Sequence, residues 1–148
     1  VRKTLINKNI PFLNKQLSKY LSDLGLPHTV EFTHEMTAKI SQFGRELSFG
    51  NLSSGQEARV NIALSLAFRD VLQSMHEHIN VCMFDEVLDV GLDGIGVQLA
   101  AKLLKRKAKE EKLSLFIVSH RDEINSSFDR KMVVQFTKGF SYIKFEDE

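Results

Sequence analysis

The tightest constraint on this chain is a pattern that occurs twice: a short apolar run ended abruptly by polar residues. Residues 80–84 form the first run and lead directly into Asp85 and Glu86, and residues 115–118 form the second and lead into Ser119 and His120. Runs this short and this apolar suit strands buried on both faces of a parallel sheet. Residues 95–112 between them have helical spacing and end in Lys105, Arg106, Lys107, Lys109 and Lys112, a basic terminus that complements the helix dipole. Strand, helix, strand implies a right-handed crossover and a parallel pair, so the expected fold class is α/β.

The flanking segments fit around that unit. Ile6, Ile10, Leu13, Leu17, Leu21 and Leu24 fall at three-and-four spacing, one stripe on one helix face, and Gly25 and Pro27 end it. Pro11 lies inside the stripe, so a helix beginning near Asn9, with Pro11 in its first turn, is expected there. Between residues 28 and 49 the period changes to two, through Val30 and Phe32, then Met36, Ala38 and Ile40, then Leu47 and Phe49, which predicts two or three short antiparallel strands. After the loop at residues 50–55, Val60, Ile62, Ala63, Leu64, Leu66, Ala67, Val71 and Leu72 predict a largely buried helix. Residues 131–136 and 140–145 read as two strands joined at Lys138-Gly139.

At 148 residues, 43% hydrophobic and 26% charged, the chain has the balance of a single soluble globular domain. A net charge of +1 gives no compositional reason to expect nucleic acid or an anionic membrane as partner. Its one cysteine, Cys82, lies in an apolar run, which excludes an internal disulfide and any CxxC metal pattern and favours a reduced, cytoplasmic compartment. There is no membrane-length apolar stretch and no secretion signal, and the first residue is Val rather than Met, so the chain is expected to begin within a longer protein.

Four short motifs carry candidate chemistry. Asp85-Glu86 would stand at the C-terminal end of a strand, where open α/β sheets bind ligands, although acids also simply mark where chain meets solvent. Leu52-Ser53-Ser54-Gly55-Gln56 opens straight into a helix, whose unpaired N–H groups attract phosphate, although Ser53 or Ser54 could be no more than an N-cap. Ser119-His120 would emerge at the same sheet edge, with an imidazole able to donate to a phosphate oxygen. Gly91-Leu92-Asp93 precedes a helix, so Asp93 by itself could be only a cap. His28, His34, His76 and His78 lack suitably spaced partners, with His76 and His78 the nearest to a metal pair.

In this order the four motifs resemble the signature, Walker B, D-loop and switch-histidine motifs of ABC ATPases. Within that superfamily the chain is similar to the SMC-like double-strand-break repair ATPases, most of all to their phage branch, the ATPase subunits of recombination endonucleases. The resemblance reaches upstream through Ile10-Pro11-Phe12-Leu13-Asn14-Lys15-Gln16-Leu17, which looks like the segment leaving a coiled coil. It implies residues 1–26 as a helix at the base of that coiled coil and residues 27–148 as the C-terminal lobe of the ATPase head. Two heads would then sandwich ATP, with Leu52, Ser53, Ser54, Gly55 and Gln56 of one head facing nucleotide held by the other, and Ser53 and Gly55 touching its terminal phosphate. Asp85 would hold Mg²⁺ through water, Glu86 would be the catalytic base, His120 would contact the terminal phosphate, and Asp93 would cross the dimer interface. Arg59 matches a basic position that could couple the signature to the coiled coil. The implied partners are the P-loop lobe of the same protein, a second head, a nuclease subunit and DNA, with no membrane.

The sequence departs from the family pattern in places. Ser54 replaces the commoner glycine, Val87 replaces the frequent proline, and the linker at residues 87–90 is one residue longer than usual. No G-x-x-x-x-G-K-[ST] loop occurs, so this stretch by itself is expected to bind ATP weakly and hydrolyse it negligibly. The alternatives are a lobe of a chromosome-organising or transporter ATPase and a non-catalytic half-head that only docks. Lys102, Lys105, Arg106, Lys107 and Lys109 are expected to form a solvated helix face rather than a DNA contact.

Overall fold

A computed structural model describes residues 2–146, with side chains from residue 9 onward except that of Asn125. Helix α1 (Arg2–Asp23) runs unbroken through Pro11 instead of starting near Asn9. Proline forgoes one backbone hydrogen bond, but Ile10, Leu13, Leu17, Leu21 and Leu24 are 5% exposed or less, and that continuous apolar stripe holds the helix together. Ile6, the first residue of the expected stripe, lies where side chains are not described. The helix closes at Gly25, whose φ of +71° belongs to the left-handed region, while the Leu26 N–H donates to the Leu21 carbonyl at 2.9 Å.

Three antiparallel strands follow, as the period of two requires: β1 (His28–Phe32), β2 (Ala38–Gln42) and β3 (Arg45–Leu47). Val30 pairs with Ile40 on the buried face, and each is 1% exposed. Gln42 pairs with Arg45 across Phe43 and Gly44, both at positive φ, the conformation of a two-residue hairpin turn. Asn14 fastens this sheet to α1, since its side-chain amide donates to the Phe32 carbonyl at 3.1 Å and accepts from the Phe32 N–H at 2.8 Å.

Helix α2 (Ser54–Met75) lies along α1 and buries Val60, Ile62, Ala63, Leu66 and Ala67. Strand β4 (Val81–Asp85), helix α3 (Gly94–Glu111) and strand β5 (Ser114–Val118) then form the expected crossover, with β4 and β5 parallel and Asp85 opposite Val118. The two strands are not buried on both faces. Phe84 points into the core, whereas Val81, Met83, Phe116 and Val118 are between 44% and 65% exposed, because the helices cover one side of this sheet only. A hairpin of β6 (Lys131–Thr137) and β7 (Phe140–Glu146) turns at Lys138-Gly139 as expected. One of its faces presents Met132, Val134, Phe136, Ile143 and Phe145, all exposed.

Lys107 is not a surface residue as its run of neighbours suggested: it is 4% exposed. Its ammonium donates to Asp70 Oδ1 at 2.6 Å, to the Tyr20 hydroxyl at 2.8 Å and to Glu111, so that α1, α2 and α3 meet on one charge. Gln16 and the Tyr20 hydroxyl both donate to the second oxygen of Asp70. Burial, reinforced by Asp70, pushes the Tyr20 hydroxyl well above the ordinary phenol range. Arg106 stays partly exposed, and its guanidinium pairs with Asp23 at the end of α1.

Candidate functional site

The loop before α2 makes a short 3-10 turn (Phe49–Asn51) and reaches Ser53, which is the N-cap. Ser53 Oγ accepts from the Gln56 N–H at 3.2 Å, and Gln56 Oε1 accepts from the Ser53 N–H at 2.9 Å, a reciprocal capping box. With the Gln56 donor used by the cap, the N–H groups of Ser54 and Gly55 remain at the positive end of a long helix, available to an anion. Capping and phosphate contact are therefore compatible in this loop. Leu52 is half-buried behind it and packs on the core.

Gly55 has a backbone reason to be glycine. A Cβ there would lie 3.2 Å from the Gly91 carbonyl oxygen, and a Cβ on Gly91, whose φ is +77°, would lie 2.9 Å from the Ser54 carbonyl oxygen. The turn that opens α2 and the turn that precedes α3 thus pack main chain against main chain. Arg59, one helical turn further along α2, spans the same junction: it contacts the Leu24 carbonyl at 3.4 Å and Asp93 at 2.5 Å. Asp93 is the N-cap of α3, accepting from the Gly96 N–H at 2.8 Å. That bond, followed by the Arg59 guanidinium, holds the Asp93 carboxyl below the usual carboxylate range.

At the sheet edge, Asp85 ends β4 and Glu86 follows in the left-handed region at φ +54°, its N–H donating to the Val118 carbonyl at 2.9 Å. This last rung draws Glu86 toward the end of β5. Glu86 Oε1 stands 3.1 Å from His120 Nε2, with both side chains largely in solvent. The pair of acids and the imidazole, far apart in the chain, therefore share one end of one sheet, with the carboxylate and imidazole in direct contact. Asp85 and Glu86 bring to this end of the sheet carboxylate oxygens, the hard donors that Mg²⁺ prefers, while among the described residues no three acidic, histidine or cysteine side chains gather into a metal site.

Two residues of this edge have no signature in the sequence. Asp89, counted there as mere linker, accepts from the Ser119 hydroxyl and, at 2.8 Å, from the His120 N–H. Burial opposes its ionisation, but these bonds outweigh it and hold the carboxyl below its usual range. Arg121 donates to the carbonyls of Asp89 at 3.2 Å and Leu92 at 2.8 Å. An acid and an arginine each next to a motif were the available signals, and neither is distinctive. The other histidines lie away from this edge: His28 is buried in β1, His34 sits in a turn, His76 caps the end of α2 and His78 is exposed in the loop beyond.

The fold these elements build is that found in part of the SMC head domains. The SMC head domain from Thermotoga maritima superposes with a TM-score of 0.73 at 21% identity, covering 99% of this chain and 52% of that one. A structure from work on ATP-driven dimerization and DNA-stimulated activation of SMC ATPases gives a TM-score of 0.74 at 20% identity, over 98% of this chain and 89% of that one. The chain's sequence homologues are phage exonuclease subunit 2 proteins. That of Escherichia phage RB69 is 31% identical over 124 residues, 82% of this chain and 22% of the relative. That of Enterobacteria phage T4 is 29% identical over 143 residues, 93% of this chain and 25% of the relative. The chain thus spans a quarter or less of the curated relatives it matches. No family model matches it. Among the described residues no helix is long and apolar enough to cross a membrane.

Proposed function

We propose that this chain is the C-terminal lobe of an SMC-like ATPase head in the subunit of a DNA recombination or repair nuclease, with ATP turnover gating the nuclease. The observation that carries this is the convergence of Asp85, Glu86 and His120 at one sheet end, beside a helix start whose turn packs on the linker from the same acids. Glu86 is placed to take a proton from an attacking water, and His120 Nε2, close beside it, to donate to a terminal phosphate oxygen. Asp85 is the residue that would hold Mg²⁺ through water, and the ion, when bound, neutralises charge on the phosphates.

Ser53 and Ser54 are exposed at a helix N-terminus with Gly55 half-buried beside them, which suits contact with nucleotide held by a second head rather than by their own. Asp93 is the residue of the linker turn placed to approach that second head, and α1 is the helix on which a coiled coil would rest. The exposed apolar row Val81, Met83, Phe116 and Val118 favours a further covering layer, as a P-loop lobe would supply. A nuclease subunit, DNA and a second head are the partners this function requires, in the host cytoplasm for a phage protein.

The test is steady-state ATP hydrolysis by the full-length protein, wild type and Glu86→Gln. The variant should bind ATP, lose turnover and prolong the ATP-bound dimer seen by light scattering. Turnover at the wild-type rate would remove Glu86 as base and sink the proposal.

A further inference from the structure

We infer, resting on the function proposed above, that Asp89 is a positioning residue for ATP hydrolysis that holds His120 against Glu86. His120 projects from the loop after β5 with its side chain 80% exposed, and its partner Glu86 is 57% exposed, so side-chain packing does little to fix the imidazole. What fixes it is the backbone from which it springs. The His120 N–H donates to Asp89 Oδ2 at 2.8 Å, while the other carboxylate oxygen accepts from the Ser119 hydroxyl.

Asp89 is in turn tied to the base. Its own N–H donates to the Glu86 carbonyl at 3.0 Å, closing a tight turn, and the Glu86 N–H is already bonded to Val118 at the end of β5. The Arg121 N–H donates to Ser119 Oγ at 3.0 Å, and its guanidinium returns to the Asp89 and Leu92 carbonyls. The loops that leave β4 and β5 are therefore laced together through Asp89, and the distance between Glu86 and His120 follows from that lacing. The chemistry demands a carboxylate: two donors converge on the two oxygens, and an amide would set an NH₂ group against one of them.

The experiment uses the full-length protein with Asp89→Asn, Asp89→Ala, His120→Ala and the Asp89→Ala/His120→Ala double variant. Either Asp89 variant should lower kcat by about 10-fold or more, with KM for ATP within about twofold, at a temperature where both variants remain folded. In the His120→Ala background, Asp89→Ala should cost nothing further, because its effect runs through that residue. Hydrogen exchange should be faster at the His120 amide in Asp89→Ala. Losses that multiply in the double variant, a rise in KM matching the fall in kcat, or unchanged exchange would overturn the role. Wild-type turnover in His120→Ala would remove His120 from the chemistry and overturn this role, even if the exchange arm showed the bond to be real, whereas no ATP turnover in the wild type would instead overturn the proposed function. Should Asp89→Ala fail to fold, the near-isosteric Asp89→Asn, with Asp89→Asn/His120→Ala, carries the test.

Discussion

Arg59 and Asp93 stand 2.5 Å apart across the junction of α2 and α3, the arginine being 14% exposed at its side chain and the aspartate 62%. Because Arg59 also reaches the carbonyl of Leu24, one guanidinium touches the end of α1, the helix after the Ser53–Gly55 turn and the cap of α3. Arg59→Ala should therefore destabilise the protein by about 1 kcal/mol, mostly through the more buried bond, since the Asp93 half of the pair is screened by solvent. Arg59→Lys should recover little, because a single ammonium cannot serve both acceptors. Chemical denaturation of the three proteins checks the order; a fully stable lysine variant would mean that charge alone suffices.

Gly91 and Gly44 share a φ of +77° but differ in surroundings: a Cβ on Gly91 meets the Ser54 carbonyl oxygen at 2.9 Å, and one on Gly44 meets nothing within 4 Å. Gly44→Ala should cost about 1 kcal/mol, the left-handed term alone. Gly91→Ala should cost distinctly more and also shift the Ser54 and Gly55 amide resonances. Equal losses at both sites would show that the contact between the two turns is slack.

The buried Lys107 ammonium is the counter-charge for Asp70, which is 8% exposed. Lys107→Met should destabilise by about 3–5 kcal/mol, because it strands a buried carboxylate. Replacing both partners, as Lys107→Met/Asp70→Leu, should restore a large part of that loss. Urea midpoints measure both, and a double variant no better than the single would place the cost in the Tyr20, Gln16 and Glu111 contacts instead.

Asp89 gives stability a sign with pH. Its folded carboxyl is held below the usual range, so the unfolded state binds more protons, and the stabilisation is complete above the ordinary aspartate pKa of about 3.9. It is lost as pH falls through the lower, folded value. Urea midpoints collected from about pH 6 down to about pH 3 should fall less steeply for Asp89→Asn than for wild type. Parallel curves would show that the two bonds to Asp89 do not favour its charged form in solution.

The crossover of β4, α3 and β5 and the three-stranded meander were legible because each follows from a period that burial imposes on local sequence. The meeting of Glu86 with His120 followed from the same logic, since parallel strands deliver what comes after them to one edge. The passage of α1 through Pro11 was not legible: proline reads as a start signal, and the packed stripe that overrides it is a tertiary fact. Nor was the half-covered state of β4 and β5, because an apolar run looks the same whether its second face is covered from within the described chain or from outside it. Asp89 was hidden for a different reason. Its partners lie after another strand, and no periodicity links residue 89 to residues 119 and 120.

The row of Met132, Val134 and Phe136 has a consequence for how such a chain is made and handled. From Met132 to Thr137 the strand carries no charge and no proline, and its apolar face is open beside an edge that pairs with no further strand among the described residues. That combination is a template on which an identical strand can add, by the same hydrogen-bond ladder that pairs β6 with β7. During synthesis, docking of whatever layer belongs on this face competes with capture by a neighbouring copy, and the second process accelerates with concentration while an intramolecular first does not. Yield of well-dispersed protein should then be set by crowding and temperature at the moment of synthesis more than by the stability of the finished fold.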